Sequence, residues 1–368
     1  MSSDHYIPAA FIGRFSPDAD KSKKARDLKV WAFHMGANNA VFCKASSLGY
    51  ANDLYKVKYD NYLPDPFNRI ESFDTWKYES DLNKVLDNME TLNPVSLSDW
   101  IHTAVPFVAG LFTRGIEFNQ RHTPFLKNIF PENENTQSQE HIGFNINLMR
   151  HIRMKRLLPD ILAAKWLIYH FPNASSISSN DLGLASMHDE RMNLQGYAIP
   201  ISPTTVIELL PSPKRRIAKF VDGGWIAEIE HVNYDSNEYR TLNDAIANAA
   251  DRFIFGGSKE EVTRAGKLLK RKSHVELALI MESLWLDASQ THSVDHKLDW
   301  YITASIADGN IAPNEVANSS IDLNLIDNHL WTPMIFELSD IEEMRIHGIA
   351  VEDNGLYITL GKTRDGLL

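Results

Sequence analysis

The spacing of hydrophobic residues predicts a helix over residues 69–92. This stretch contains no proline or glycine, and its apolar side chains recur at intervals close to three and four: Ile70, Phe73, Trp76, Leu82, Val85 and Met89. Such intervals place the side chains on one face of a helix, where a neighbouring element can bury them. We therefore expect a long amphipathic helix here.

Two further helices are predicted in the first half of the chain. The second begins at Ser96, whose hydroxyl can accept a hydrogen bond from the amide of Asp99, and it runs toward Asn119. Because Pro106 has no amide hydrogen to donate, we expect it to bend or break this helix near its first turns. The third helix covers residues 138–158 and is predicted to end before Pro159.

Short runs of β-branched and aromatic residues predict a sheet. One run, residues 29–34, lies near the N-terminus. The others follow Pro159 and are separated by clusters of Pro, Ser, Asn and Gly: residues 166–171, 204–210, 225–232, 252–255 and 334–338. Asn354-Gly355 can form the turn of a hairpin near the C-terminus. Two more helices, one from Thr241 and one over residues 258–272, lie among these strands.

Together these elements predict an α+β fold. A helical first half packs with a mixed or antiparallel sheet, and a β-rich C-terminal addition follows. We expect residues 1–257 to form an α+β core and residues 258–368 to form the C-terminal addition.

Composition and charge narrow the classes of function. Hydrophobic residues make up 43% of the chain, enough for a folded core. The 37 basic and 48 acidic residues give a net charge of −11, so a nucleic-acid partner needs a local basic patch. The single cysteine excludes an internal disulfide. We find neither a secretion signal nor an apolar stretch of the ~20 residues that a membrane helix needs, and we expect a cytoplasmic protein with no membrane partner.

The N-terminal segment contains a recognisable motif, His5-Tyr6-Ile7-Pro8 with Arg14-Phe15 after it. The motif is similar to the opening of the bacterial domain-of-unknown-function family 4238. Further segments follow in the family's order: Val30-Trp31-Ala32-Phe33, Asp53-Leu54-Tyr55, Ile70-Glu71 with Glu79, Phe112-Thr113-Arg114, Ser179-Asn180-Asp181, Ile199-Pro200-Ile201-Ser202-Pro203 and Asp251-Arg252. The resemblance covers residues 1–257. It implies no reaction, but the family occurs among bacterial antiphage-defence genes, which implies a candidate defence protein.

Six polar residues in these segments form a candidate active site: His5, Arg14, Glu71, Glu79, Arg114 and Asp181. Brought together by the fold, they have the chemistry needed to hydrolyse a phosphate ester. Glu71 and Asp181 are the candidate ligands of a divalent metal, Mg²⁺ or Mn²⁺, and His5 is the candidate proton carrier. Arg14 and Arg114 can neutralise phosphate charge. This hypothesis makes the chain an antiphage-defence effector that acts on nucleic acid or a nucleotide.

A structural interpretation of the same residues stays open. Arg14 with Glu71, and Arg114 with Glu79, can be buried ion pairs that fix the N-terminal segment on the helices. Glu71 and Glu79 are eight positions apart, about 80° beyond two full helical turns, so one can face inward and the other solvent. The chain is then a non-catalytic sensor, or a module that binds a phage or host protein.

Two other groups of residues also have two interpretations. His292 and His296 have the i, i+4 spacing of zinc ligands, but a pair at this spacing also arises by chance among 14 histidines. The basic run from Arg150 to Arg156 can contact a phosphate backbone or form a solvated helix end.

Overall fold

A computed structural model describes the chain at residues 3–18, 24–52, 54–55, 78–129, 136–172, 176–188, 191, 194–210, 214–234, 239–281, 306–309, 349–352 and 355–359. The α-helices in these ranges are α1 (Ala9–Gly13), α2 (Leu82–Glu90), α3 (Leu97–Asp99), α4 (Val105–Thr113), α5 (Ile116–Ile129), α6 (Thr136–Ala163), α7 (Tyr239–Ala249), α8 (Lys259–Gly266) and α9 (His274–Met281). A π-helical turn, Trp100–Ala104, joins α3 to α4.

The strands in the same ranges are β1 (Ser3–His5), β2 (Lys29–His34), β3 (Val41–Lys44), β4 (Tyr50–Asn52), β5 (Lys165–His170), β6 (Ser178–Asn180), β7 (Ala185–His188), β8 (Leu194–Ser202), β9 (Thr205–Leu210), β10 (Lys214–Val221), β11 (Gly224–Ala227), β12 (Glu230–Asn233), β13 (Phe253–Gly256), β14 (Ile349–Glu352) and β15 (Gly355–Thr359). The predicted strands over residues 29–34, 166–171, 204–210 and 252–255 are therefore confirmed to within a residue or two.

These strands form one larger sheet and three smaller ones. The larger sheet has the order β12-β5-β9-β8-β7, in which β12 and β5 run parallel and the other neighbours run antiparallel. Antiparallel sheets have the orders β3-β2-β13-β6 and β11-β10-β15-β14, and β1 pairs with β4. Mixed and antiparallel sheets packed with helices confirm the α+β fold.

One hydrophobic cluster connects the helices to the sheets. Phe11, in α1, lies 5.0 Å from Phe107 in α4, measured between ring centroids. Phe15, just after α1, lies 5.2 Å from Phe255 in β13. The N-terminal segment is therefore packed between a helix from the first half and a strand from the second.

The structure corrects several predicted helix ends. Within the described residues the helix predicted over residues 69–92 is α2, Leu82–Glu90, and the helix predicted over residues 258–272 ends at Gly266. The helix that begins after Ser96 does not run to Asn119; it contains the π-helical turn, and α4 ends at Thr113. Pro106 lies at the start of α4, where its missing amide hydrogen is tolerated. The third helix continues through Pro159 to Ala163. The predicted cap is confirmed, since the Ser96 hydroxyl accepts from the amide of Asp99 at 3.0 Å.

The C-terminal part is described only in places. β14 and β15 pair antiparallel, with Val351 opposite Leu356, which confirms the predicted hairpin. β15 also pairs with β10, and α8 packs on β13 and β2, so these elements contact the first 257 residues. The division at residue 257 stays a prediction. Glu71, both members of the His292 and His296 pair, and the strand predicted over residues 334–338 lie outside the described residues.

Within the described part of the chain, every helix is too short or too polar to cross a lipid bilayer.

Candidate functional site

The N-terminal motif lies at the centre of the candidate site. β1 pairs with β4, with His5 opposite Tyr50, and the amide of Tyr6 then donates to the carbonyl of Gly49 at 2.9 Å. The side chains of Tyr6 and Ile7 are buried. The two faces of this short segment meet different groups of charged residues, one around Arg114 and one around Asp181.

The Arg114 guanidinium, at the end of α4, is buried among partners. Its Nη1 donates to the Tyr78 hydroxyl at 3.0 Å and to the Glu79 carboxylate, with which it forms an ion pair. Its Nη2 donates to the backbone carbonyl of His5 at 2.8 Å. The Tyr55 ring lies 5.8 Å from the guanidinium carbon. The Arg114–Glu79 ion pair of the structural interpretation is thus present, and it attaches the N-terminal motif to α4.

His5 lies beside this ion pair but uses its ring elsewhere. Its Nε2 is 3.3 Å from the carbonyl oxygen of Ser46, and its ring centroid is 5.9 Å from that of Tyr50. Burial lowers the pKa of His5 below its ordinary value, so the imidazole is neutral at about pH 7. A neutral ring that donates to Ser46 through Nε2 has Nδ1 as its proton acceptor.

Arg14 is held by α2. Its Nε donates to the carbonyl of Ile201 at 2.9 Å, while its Nη1 and Nη2 pair with Asp87 at 2.5 Å and with Glu90 at 2.8 Å. The sequence proposed Glu71 as the partner of Arg14. Glu71 lies outside the described residues, and within them the charge of Arg14 is balanced by the two carboxylates of α2.

Arg150 has a role that the sequence did not indicate. We interpreted the basic run that contains it as a phosphate contact or a solvated helix end, but the Arg150 side chain is fully buried in α6. It donates to the carbonyl oxygens of Thr113 and Gly115, both at 3.1 Å, and to the side chain of Asn119. These carbonyls lie at the C-terminal end of α4, which Arg150 therefore caps. For Arg150 the solvated interpretation is wrong.

Asp181 follows β6 and joins its own loop to the loop between α7 and β13. Its two carboxylate oxygens accept from the backbone amides of Asp251, at 3.0 Å, and Arg252, at 2.9 Å, and its own amide donates to the carbonyl of Phe253 at 3.1 Å. Two residues later, Gly183 has φ +74°, and a Cβ there would lie 2.7 Å from a methyl carbon of Leu111 in α4. A residue without a side chain is thus required for this loop to approach α4.

Three buried carboxyl groups meet near Asp181. Burial, reinforced by the carboxylate of Asp251, raises the pKa of Asp181 to about 7 even though two amides donate to it. Glu117, in the first turn of α5, is also buried, and burial raises the pKa of its carboxyl group. The charges of Asp251 and Glu117 repel that of Asp181. We call Glu117, Asp181 and Asp251 the acidic cluster; within it the carboxyl groups of Glu117 and Asp181 are protonated more readily than isolated carboxyl groups.

Other polar groups surround the acidic cluster. Tyr6 faces it from the N-terminal motif, and burial together with the charge of Asp181 raises the pKa of the Tyr6 hydroxyl. Arg252 is 3.4 Å from an Asp251 oxygen, and its side chain is 38% exposed, so this side of the cluster reaches solvent. Lys272 is half-buried and interacts electrostatically with Asp251 and Asp181. The cluster thus has an acidic interior and a basic rim.

Some buried polar atoms in this region have no hydrogen-bond partner within the described residues. They are Oε1 of Glu117 and the hydroxyl oxygens of Ser178 and Ser179. Ser178 and Ser179 belong to β6, immediately before Asn180 and Asp181. Orphaned polar atoms are uncommon in folded proteins and carry an energetic cost, so the polar character of this region is not required for folding alone.

Only one of the two metal ligands predicted from the sequence lies within the described residues. Of its two residues, Asp181 is described and already accepts a backbone hydrogen bond at each oxygen, while Glu71 lies outside the described residues. The described ranges contain no group of three or more His, Cys, Asp or Glu side chains arranged to hold a metal ion. The assignment of a metal to Glu71 and Asp181 stays a prediction.

The five predicted site residues that the structure describes are thus distributed over several surroundings. His5, Glu79 and Arg114 lie together, Asp181 lies on the Tyr6 side of the same N-terminal segment, and Arg14 is bound to α2. The sequence did not select Tyr6, Glu117, Asp251, Arg252 or Lys272. Tyr6 and the Asp251-Arg252 pair belong to segments that follow the family's order, which was a usable signal, whereas no pattern marked Glu117 or Lys272.

Comparison with known proteins gives one match. Residues 4–260 match the sequence model of a family described as "Protein of unknown function (DUF4238)". No curated protein and no solved structure matches the chain. The matched range includes every described residue of the candidate site except Lys272.

Proposed function

Because the chain belongs to the DUF4238 family, whose description names no reaction, we propose its function from the site itself: hydrolysis of a phosphate ester in nucleic acid or a nucleotide. The observation that carries the proposal is the Asp181 carboxyl group, whose pKa is raised to about 7 in a buried cluster with a basic rim. A group that titrates near the working pH is suited to both giving and accepting a proton.

The groups around Asp181 have complementary roles in such a reaction. Water attacks the phosphorus atom, the bond from phosphorus to the leaving oxygen breaks, and protonated Asp181 gives its proton to that oxygen. The Asp251 carboxylate accepts the proton that the water loses. Arg252 and Lys272, at the rim, neutralise the negative charge of the phosphate group. Protons and charge balance without a redox partner.

A divalent metal belongs to the proposal as a second means of neutralising phosphate charge. Mg²⁺ or Mn²⁺ held by Glu71 and Asp181 would bind the deprotonated form of Asp181, because metal ligands must lose their protons. Metal binding and proton donation by Asp181 therefore compete. Dependence of activity on added metal separates these two forms of the proposal.

We also propose a cellular role, which depends on the proposed reaction. The family resemblance implies a place among bacterial antiphage-defence genes, and on that basis we propose a defence effector that degrades nucleic acid or depletes a nucleotide. Cells that carry the gene should then form fewer phage plaques than cells that carry the Asp251→Asn variant. Equal plaque counts would contradict the defence role but not the chemistry.

The test of the chemistry is an assay of the purified full chain. Labelled RNA, single- and double-stranded DNA, and nucleotides are incubated with Mg²⁺, with Mn²⁺ and with chelator. Asp251→Asn removes one acid of the cluster while both hydrogen bonds of Asp181 remain, and Asp87→Asn is the matched control, since the Asp87 side chain is 64% exposed in its pair with Arg14. We expect cleavage by the wild type and the control, and at least about a 100-fold loss in Asp251→Asn.

The second candidate function is a non-catalytic sensor or protein-binding module. It is favoured by the ion pairs of Arg114 and Arg14, which occupy predicted site residues with partners from the protein itself. Absence of turnover on every substrate, together with a lower melting temperature in Asp251→Asn than in the wild type, would support this function, because removal of a structural residue destabilises the fold. The hydrolysis proposal would then be wrong.

A further inference from the structure

An aromatic pair, the half-buried Trp31 and the exposed Phe42, lies at the β3 edge of the sheet β3-β2-β13-β6. Trp31 of β2 is directly opposite Phe42 of β3, and the next pair on the same face is Lys29 opposite Lys44. The Trp31 and Phe42 ring centroids are 4.8 Å apart with 35° between their planes. Phe42 is 42% exposed. An aromatic surface bordered by two lysines is thus displayed at an open sheet edge.

The rest of this sheet is covered. Val30 and Ala32, on the opposite face of β2, are fully buried in the main core. Further along the exposed face, Phe33 packs against α8 so closely that a Cβ on Gly266 would overlap its ring. Of the phenylalanine and tryptophan rings of β2 and β3, Phe33 is therefore buried, Trp31 is half-buried near the start of α8, and Phe42 is exposed.

Three lysines lie around the Trp31 and Phe42 rings. The Lys29 ammonium lies 5.7 Å from the Phe42 ring centroid, and the Lys259 ammonium, from the start of α8, lies 5.3 Å from the Trp31 ring centroid. Lys44 completes the group. Within the described ranges none of the three lysines forms an ion pair, so three positive charges gather here on a chain whose net charge is −11. We call the group Lys29, Trp31, Phe42, Lys44 and Lys259 the aromatic platform.

We propose that the aromatic platform binds single-stranded nucleic acid. Bases stack on the rings of Phe42 and Trp31, and the three lysines pair with the phosphates on either side. Stacked aromatic rings among basic side chains are suited to unpaired bases, whose flat faces are free, whereas a duplex hides those faces. The flexible lysine side chains that now lie over the rings can turn outward to phosphate groups without a change in the backbone.

A second aromatic pair, on another sheet, lacks the lysines of the aromatic platform. Phe220 and Trp225 are opposite each other on β10 and β11, their ring centroids are 5.2 Å apart, and Phe220 is also 42% exposed. Lys219 neighbours Phe220 along the strand and so points to the other face of the sheet. No cation lies over either of these two rings within the described residues. Phe220 and Trp225 therefore supply a matched control, because they have similar rings but no lysine over them within the described residues.

The inference rests on the proposed function in one respect, since it names the class of nucleic acid that the site would cleave. Binding is nevertheless measured separately from cleavage. Single-strand binding without any hydrolysis would support binding by the aromatic platform and contradict the proposed reaction. Hydrolysis that does not depend on the platform residues would support the reaction and contradict binding by the platform.

The experiment measures fluorescence anisotropy of a labelled single-stranded oligothymidylate of about 12 nucleotides, with chelator present to prevent metal-dependent cleavage. Phe42→Ala should weaken binding roughly 5- to 150-fold, the loss expected for one stacked base. Phe42→Tyr should bind like the wild type because its ring still stacks. Phe220→Ala should also bind like the wild type, and the melting temperature of each variant confirms that it is folded.

A salt titration tests the lysines independently. The double variant Lys29→Ala with Lys44→Ala should reduce the slope of log K against log salt by ~1.4, about 0.7 for each phosphate that the protein no longer neutralises. The proposal is overturned if the wild type does not bind the oligonucleotide, or if Phe42→Ala binds as well as the wild type. It is also overturned if Phe220→Ala loses as much affinity, or if a duplex or an acidic peptide binds more tightly than the single strand.

Discussion

Arg114 and Asp181 are both buried charged side chains that contact the N-terminal motif or face it, but their surroundings are opposite. Arg114 is surrounded by a carboxylate, a carbonyl oxygen and tyrosine side chains, all of which stabilise its positive charge. Asp181 accepts hydrogen bonds from two backbone amides, but it also lies near the carboxyl groups of Asp251 and Glu117, which destabilise its negative charge. The partners of Arg114 therefore fix its charge despite burial, whereas burial beside other acids makes the charge of Asp181 dependent on pH.

The difference separates structural from chemical roles. A buried charge that has every partner it needs holds elements in place, and its removal leaves those partners without a bond. A buried acid beside other acids costs stability at neutral pH, and a protein keeps such a group where its proton is useful. Four changes test this contrast, and they are given in order of expected effect.

The largest effect is expected for Arg114→Ala. Loss of the guanidinium leaves Glu79, the Tyr78 hydroxyl and the His5 carbonyl without their donor, so the free energy of unfolding should fall by about 3–5 kcal/mol. Urea denaturation measures it. The control is Lys165→Ala, which breaks an exposed ion pair with Glu230 and should cost no more than about 1 kcal/mol. Equal costs for the two variants would show that the Arg114 network is not structural.

The next effect is the pH dependence of stability. The pKa of Asp181 is about 7 in the folded protein against 3.8 for an ordinary aspartate, so between these values the folded state binds more protons than the unfolded state. The free energy of unfolding should therefore fall as the pH rises from about 4 to about 7, and this contribution should level off above that range.

Asp181→Asn should flatten this pH profile. At pH 4 the variant should be less stable than the wild type by about 1–3 kcal/mol, because the new amide group cannot accept from both backbone amides. Toward pH 8 the difference should shrink, since only the wild type becomes charged. Urea denaturation at several pH values follows both proteins. Parallel profiles would mean that Asp181 does not titrate in this range.

A smaller and opposite effect is expected for Glu117→Gln. Burial raises the pKa of Glu117, so its charged form is unfavourable, and a neutral amide of the same shape should stabilise the protein at pH 8 by about 1 kcal/mol. The gain should disappear at pH 4, where the carboxyl group is itself neutral. Thermal unfolding at the two pH values measures it, and a loss of stability at pH 8 would place Glu117 among the structural charges.

The smallest effect is expected for Asp87→Asn. Arg14 keeps its ion pair with Glu90 and its hydrogen bond to Ile201, and the Asp87 side chain is 64% exposed, so solvent screens the lost interaction. The free energy of unfolding should change by less than about 1 kcal/mol, and chemical denaturation can detect a larger change. A cost like that of Arg114→Ala would make the Arg14 pair as structural as the buried one.

Local pattern was sufficient for several of the described elements. The β-branched and aromatic run at residues 29–34 predicted β2, the Ser96 cap was found from its spacing to Asp99, and Asn354-Gly355 indicated the hairpin that β14 and β15 form. Each of these depends on neighbours in the sequence. Helix ends were less predictable, because a π-helical turn before Pro106 and the continuation past Pro159 depend on how α4 and α6 pack.

The site was less predictable for a physical reason. Arg150 and Glu117 have ordinary positions in their helices, and only the docking of α5 and α6 onto the end of α4 buries them. The Arg114–Glu79 pair was found because both residues had been noted as candidates. The protonation of Asp181 depends on Asp251 and Glu117, which come from distant parts of the sequence.

The contact between Phe15 and Phe255 has a consequence for biosynthesis. The ribosome makes Phe15 long before its aromatic neighbour, which emerges only after β13 has been translated. Until then Phe11 and Phe15 lack part of the core that buries them, and nascent chains that end before β13 expose apolar surface that chaperones recognise. The segment that contains Phe11 and Phe15 therefore waits for residues translated much later before it reaches its native position.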